Sequence, residues 1–216
     1  MANAELVEHL KRKGVLKNPV IVRAFTEVDR ADFMPEAYRR AAYEDNAFPI
    51  GYGATISQPY TVAFMLELLE PKEGEKILDV GSGSGWTTAL LARIAGEKGS
   101  VIGTEIVPEL VEFGKTNLGK YGFKNVRIEP AGKEVGLSSE APFDKILVSA
   151  SGSELPQPLV EQLKAGGPAS TRGEPTRGGR MVIPLGLSVW KMEKTEFGKL
   201  EMEEFPGFVF VPLQNH

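Results

Sequence analysis

The densest chemistry in the chain lies in eleven residues, Lys76 to Trp86, with the sequence KILDVGSGSGW. An apolar run ending near Asp79 reads as a buried strand. Gly81, Gly83 and Gly85 then let the backbone turn sharply and come close to a ligand where any Cβ would clash, with Ser82 carried inside the same turn. The helix that follows must aim its N-terminal amides at the same place, which suits a nucleotide-like cofactor at the carboxyl end of a first strand. Glu105 closes the next apolar run, with Ile106 beside it, and a carboxylate at that level can accept both hydroxyls of an adenosine ribose.

Several other chemistries lack a residue they need. A dinucleotide fingerprint requires glycine where Trp86 stands. Gly114-Lys115-Thr116 resembles the end of a phosphate-gripping loop, but Glu109 occupies the position of its first glycine and the triplet falls mid-helix. Neither Ser82 nor Ser84 has the flanking glycines of a nucleophile elbow. The chain has no cysteine, which removes thiol nucleophiles and nearly all structural zinc sites, and its two histidines are His9 and His216, so no Ser-His-Asp relay can form in its middle. No metal site is expected. Strand, aspartate, Gly-x-Gly-x-Gly and an acid one strand later together form the layout of S-adenosylmethionine-dependent methyltransferases.

The elements that position these residues follow from periodicity. Asn3 reads as the cap of a helix carrying Leu6, Val7 and Leu10, with Gly14 as its stop, and Asn18-Pro19 opens a second helix. A third helical segment is expected from Pro35 to Tyr43, and residues 46 to 57 as an ordered loop. Gln58-Pro59 opens a helix that Pro71 ends. Strand-type and helix-type runs then alternate: Lys76 to Val80, Trp86 to Ala95, Ser100 to Glu105, Pro108 to Tyr121, Val126 to Glu129, Lys145 to Ser149, Pro156 to Lys164 and Met181 to Pro184. Such alternation predicts an α/β fold, a doubly wound and mostly parallel sheet, because parallel neighbours need crossovers. The tail to Leu213, including Phe208 to Val211, is expected to add antiparallel strands. Residues 165 to 180, rich in Gly, Pro, Ser, Thr and Arg, read as a mobile surface insert.

A formal charge of −4 over 216 residues argues against the cationic face used for sequence-independent polynucleotide binding. Glu5, Glu8 and Lys11 interrupt any signal-peptide core, and the chargeless stretch Asn46 to Leu66 is broken by prolines and glycines. The expectation is a cytoplasmic protein, favoured as a monomer, that binds neither membrane nor nucleic acid.

Taken whole, the sequence resembles the protein-L-isoaspartate O-methyltransferase family. The likeness runs through VDRADFMPEAYRRAAYEDNAFPIGYGATISQPYTVAFMLELL, ILDVGSGSGW, APFDKILVSAS, ELPQPLVEQLKAGG and FVFVPL, and PIGYGATISQP is its most diagnostic piece. It implies one Rossmann-like methyltransferase domain over residues 1–216, with a helical and substrate-loop segment at 1–57 and a cofactor-binding core at 58–216. It places Ser57 at the active-site serine position, with Thr55 as a catalytic partner and Ile56 and Gln58 as substrate contacts. Asp79, Gly81, Ser82, Gly83, Gly85, Glu105, Ile106 and Gly132 fall in the cofactor site. Two departures stand out: Ala131-Gly132-Lys133 replaces the usual Gly-Asp-Gly, and the insert lengthens what is normally a tight turn.

The implied substrates are isoaspartyl peptides and proteins, and the implied reaction needs little from a catalytic group. An α-type carboxylic acid has a pKa near ~3.5, so at neutral pH it is already an oxyanion and needs no general base. Holding carboxylate oxygen, methyl carbon and sulfonium sulfur in line can remove roughly 7–11 kcal/mol of barrier. Ser57 and Thr55 would offer neutral hydrogen bonds, and the helix from Pro59 free amides. Ser57 can equally be that helix's ordinary N-cap. The alternatives are a methyltransferase of the same fold with another substrate and a non-catalytic cofactor-binding module.

Overall fold

The computed structural model describes residues 2–167, 178–195 and 198–213. Helices α1 (Asn3–Arg12) and α2 (Pro19–Glu27) come first, followed by two 3-10 turns, Arg30–Phe33 and Glu36–Ala41. Asn18 caps α2 by accepting the Val20 amide at 3.0 Å. The expected Asn3 cap is corrected: Ala2 holds the cap position, and the Asn3 amide instead donates to the Phe25 and Thr26 carbonyls, tying α1 to the end of α2. The segment expected as a helix from Pro35 to Tyr43 is a 3-10 turn of six residues, Glu36–Ala41.

Residues 46 to 57 are more regular than expected. Strands β1 (Phe48–Gly51) and β2 (Ala54–Ile56) form an antiparallel hairpin, and helix α3 (Pro59–Leu69) leaves directly from it. Gly51, Tyr52 and Gly53 all have positive φ at its tip, so the reversal rests on two glycines and one strained tyrosine.

The core follows: β3 (Lys76–Val80), α4 (Trp86–Ala95), β4 (Ser100–Glu105), α5 (Pro108–Gly119), β5 (Val126–Pro130), β6 (Lys145–Val148), α6 (Gln157–Gln162), β7 (Arg180–Leu185), β8 (Ser188–Lys194) and β9 (Leu200–Pro206). The seven strands run β5-β4-β3-β6-β7-β8-β9, with β5 to β7 parallel and the last two antiparallel. This is the predicted doubly wound sheet. Ile77, Leu78 and Val80 are buried, as a central parallel strand covered on both faces requires. One face packs on the N-terminal helices through Phe25, Leu66 and Leu90; the other packs on α6 through Phe143, Leu159 and Met181. The chain winds outward from β3 to β4 and β5 on one side, and to β6 and β7 on the other. Its switch point therefore opens beside the carboxyl end of β3, where ligands of such sheets bind.

Phe208 to Val211 do not form a strand. Gly207 has φ +97 and turns the chain out of β9, after which Phe208 stacks on Phe64 of α3 at 4.8 Å. The aromatic side chains there serve packing against a helix, not sheet pairing. Most of the expected mobile insert, residues 168–177, lies outside the described residues. Among the described residues, no helix is long and apolar enough to cross a membrane.

Candidate functional site

Beyond β3 the chain makes three left-handed steps, with φ +79 at Gly81, +51 at Gly83 and +84 at Gly85. Space makes the same demand at Gly85, where a Cβ would stand 3.1 Å from the Gly114 carbonyl oxygen and 3.3 Å from Ile128. A Cβ on Gly114 would lie 2.6 Å from Ile128. Gly114, outside any cofactor motif in the sequence, thus lets α5 pack against the turn, and supplies the close approach that Trp86 denies at the dinucleotide position.

Two carboxylates hold this turn. Glu105 is buried and accepts three backbone amides: Gly83 at 2.8 Å on Oε2, and Ile106 and Val107 at 2.8 and 3.0 Å on Oε1. With about four acceptor positions on a carboxylate, three are taken by these amides, and Glu105 also lines the cleft. Asp79 lies fully buried beneath the turn, and its Oδ2 accepts the Thr88 and Thr87 hydroxyls at 2.6 and 2.8 Å. Burial pushes its pKa up to about 6, against the pull of the Thr88, Thr87 and Ser149 hydroxyls. Its Oδ1 has no hydrogen-bond partner among the described residues.

A cleft open to bulk solvent lies over this turn. Gly81, Ser82, Gly83, Glu105, Ile106 and Gly132 line it from one side; Thr55, Ile56 and Ser57 line it from the other. Three expected site residues do not reach the cleft surface. Asp79 and Gly85 sit behind the turn, and Gln58 points away, donating to the Asp45 carbonyl at 2.9 Å. The loop carrying Ala131, Gly132 and Lys133 also lines the cleft, pinned from behind by buried Gln162, which accepts the Leu137 amide and donates to the Val135 carbonyl.

Two expectations about the substrate side are corrected. Ser57 is not the cap of α3, because Gln58 holds that position and caps nothing with its side chain. The first free amide of the helix start is also already taken. Asp45 Oδ1 accepts the Tyr60 amide at 2.8 Å from fifteen residues upstream, while its Oδ2 pairs with Lys13 at 2.9 Å. Pro59 has no amide to offer, so an internal carboxylate already fills the position where free donors were expected.

Sequence reasoning also missed Arg30. It is completely buried, and it donates to the carbonyls of Ala42, Glu44, Asn46 and Ser57 at 2.7, 3.1, 2.8 and 3.0 Å. Its guanidinium lies 5.1 Å from the Trp86 ring centre and 5.7 Å from that of Phe48. Burial lowers its pKa to about 10, which leaves it charged at neutral pH. Backbone carbonyls carry no sequence signature, so the four partners could not be read from the chain.

A doubly wound sheet with a glycine turn at its switch point, a ribose-level acid and a cleft shared with a neutral hairpin defines a nucleoside-cofactor enzyme of the methyltransferase class. The family model described as "Protein-L-isoaspartate(D-aspartate) O-methyltransferase (PCMT)" matches residues 1–216. The chain is 41% identical over 217 residues to the protein-L-isoaspartate O-methyltransferase of Methanopyrus kandleri, covering 98% of this chain and 91% of the relative. It is 40% identical over 212 residues to that of Pyrococcus horikoshii, with 96% and 90% covered. A Plasmodium falciparum crystal structure assigned to the same activity, in complex with S-adenosyl-L-homocysteine, superposes with a TM-score of 0.83 over 100% of both chains at 27% identity. The chain belongs to the protein-L-isoaspartate(D-aspartate) O-methyltransferase family, enzymes that use S-adenosylmethionine to methylate isoaspartyl residues.

Proposed function

We propose that this chain performs its family's reaction in the cleft between the glycine turn and the Thr55–Ser57 segment, esterifying the free α-carboxylate of L-isoaspartyl residues in damaged proteins. The ester then closes to a succinimide as a backbone amide nitrogen displaces methanol, and hydrolysis of that ring returns some normal aspartate. Most of the support comes from one juxtaposition: hydroxyl-bearing Thr55 and Ser57 and the amide-lined turn face the same cavity.

The residues present fit the cofactor. The left-handed turn brings Gly81 and Gly83 to the cleft, where a Cβ on Gly83 would crowd Ile50, and Glu105 and Ala131 to Lys133 line the same cleft. Bound there, S-adenosylmethionine supplies a methyl group on a positively charged sulfur. Ser57 and Thr55 orient the substrate carboxylate through neutral hydrogen bonds that leave it nucleophilic. A cationic partner would bind the anion harder and blunt its attack, and the charge-free stretch from Asn46 to Leu66 keeps such a partner off this wall. Glu105 is already engaged by three backbone amides, which assigns it to shaping the turn. An already ionised substrate needs no general base.

The deciding experiment is radiolabelled methyl transfer to a synthetic isoaspartyl peptide and to its normal aspartyl twin. Labelling of the first alone is expected. Equal labelling of the pair, or none, would overturn the proposal, and binding of S-adenosylhomocysteine without turnover would leave a cofactor-binding module.

A further inference from the structure

Arg30 is an unusual buried cation, since no carboxylate is among its hydrogen-bond partners. Arginine is rarely buried without one, and the cost of removing its charge from water is offset here by four carbonyl dipoles, two aromatic faces and the charge of Asp45, which acts without a direct hydrogen bond. That leaves only Nε without a partner among the described residues. The arrangement is specific to a guanidinium, because an ammonium cannot reach four carbonyls spread along a planar fork.

Where those carbonyls lie gives the cluster its meaning. Asn46 precedes β1 and Ser57 follows β2, and the same Nη2 atom donates to both. The guanidinium thus closes the base of the hairpin like a clasp. The hairpin needs one: its ladder joins three residue pairs, with a register shift between Pro49 and Gly51, and two-stranded ribbons are at best marginally stable alone. On its other side the guanidinium meets Trp86, the first residue of the helix that leaves the glycine turn. A second contact runs parallel to this one. Ile50 of β1 lies so close to the turn that a Cβ on Gly83 would be 3.2 Å from its Cδ1.

We infer that Arg30 is a positioning residue for the methyl transfer: it ties the backbone of Ser57 to the first turn of α4 and so sets the separation between the substrate segment and the cofactor cradle. It touches neither reactant. The inference rests on the reading of the cleft given above and adds what holds its two walls in register. The turn itself has independent supports in Glu105 and Gly114, so loss of the clasp should loosen the substrate wall and spare the cofactor wall.

The test is Arg30→Lys, compared with wild type on the isoaspartyl peptide and its aspartyl twin, with active sites counted by calorimetric titration of S-adenosylhomocysteine. Expected per binding-competent site are a kcat lower by about 10- to 100-fold, as small misplacements of reactants produce, and a peptide KM raised several-fold. The affinity for S-adenosylhomocysteine should move by less than about threefold. A purely structural role would lower the number of competent sites and leave kcat and KM per site unchanged, and that result overturns the inference. So does a fall in S-adenosylhomocysteine affinity that parallels the loss of activity. If Arg30→Lys does not fold, Phe48→Leu carries the test, since it removes the aromatic face on the substrate side and lies outside the cleft lining. A raised peptide KM with unchanged cofactor affinity supports the clasp; wild-type constants overturn it. Wild type separates the two possible failures. If it does not distinguish the twin peptides, the reading of the cleft fails; if it does and the variants match it, only the role of Arg30 fails.

Discussion

Around the glycine turn nearly every constraint is local or comes from the adjacent strand: φ values that favour glycine, an acid one strand away, and two threonines eight and nine positions after Asp79. The facing hairpin is held from afar. Its base is gathered by an arginine 16 and 27 residues upstream of its ends, and the helix leaving it is capped by an aspartate fifteen residues back. One wall is fixed by glycine geometry and by carboxylates of its own and the adjacent strand, the other by two side chains that reach in from far upstream. The difference predicts that damage to the first wall shows in cofactor binding and damage to the second in handling of the peptide.

The largest effect should come from Gly85→Val. The new side chain meets α5 at its Gly114 carbonyl and must adopt a left-handed backbone that β-branched residues rarely tolerate. Strain and overpacking together should cost about 3 kcal/mol and weaken S-adenosylhomocysteine binding by more than about 100-fold. Calorimetry and thermal melting measure both. Near-normal affinity would mean that the turn is far softer than its φ values imply.

The same asymmetry explains what could be read from the sequence. Gly81, Gly83, Gly85, Asp79 and Glu105 announce themselves because a left-handed turn and a strand-end acid restrict residue type. The alternating strands and helices were legible because burial on both faces imposes long apolar runs. The hairpin was not, since Pro49, Gly51 and Gly53 hide the alternation of two strands that pair over only three positions. Arg30 and Asp45 escaped because their partners are main-chain groups, which every residue carries. Phe208 to Val211 misled for the opposite reason: an apolar, β-branched run satisfies strand propensity, yet Gly207 diverts it onto α3.

Asp79→Asn probes the cofactor wall through pH. A carboxylate with its pKa raised to about 6 binds its proton more tightly in the folded chain than in the unfolded one. Wild-type stability should therefore fall as pH rises through the window from about 4 to 6, by up to about 3 kcal/mol from this group. Asparagine keeps an acceptor for Thr87 and Thr88 and has no charge to bury. Without cofactor, the variant should gain on wild type between pH 4.5 and 7.5 in urea unfolding. A difference that stays flat with pH would show that the buried carboxylate is stabilised by more than its hydroxyl donors.

On the substrate wall, Ser57→Ala should lower kcat by about tenfold, roughly the worth of one neutral hydrogen bond, with S-adenosylhomocysteine affinity unchanged. Full turnover at saturating peptide and cofactor would remove the hydroxyl from the reaction and leave the position of the Ser57 carbonyl as its contribution.

The smallest effect is expected at Asp45, and it sharpens the contrast most. Asp45→Ala frees the Tyr60 amide at the start of α3 and the half-exposed Lys13. The Lys13 end of the pair is exposed and adds little, but the Asp45 carboxylate is largely buried and its charge acts on Arg30, so the loss should be that of a helix cap and somewhat more: about 1–2 kcal/mol, or roughly 2–8 °C in melting temperature for a chain of this length. Arg30 still holds the Ser57 carbonyl, so kcat should stay within about twofold of wild type, close to the limit of what one remote cap can influence. The freed amide also leaves the helix start uncapped beside the substrate segment, where an anion would then be favoured. If the peptide KM falls in this variant, the substrate carboxylate is using that amide, and Asp45 normally keeps it out. If KM is unchanged, the carboxylate is held elsewhere on the hairpin wall, which is what the position of the Thr55 and Ser57 hydroxyls in the cleft leads us to expect.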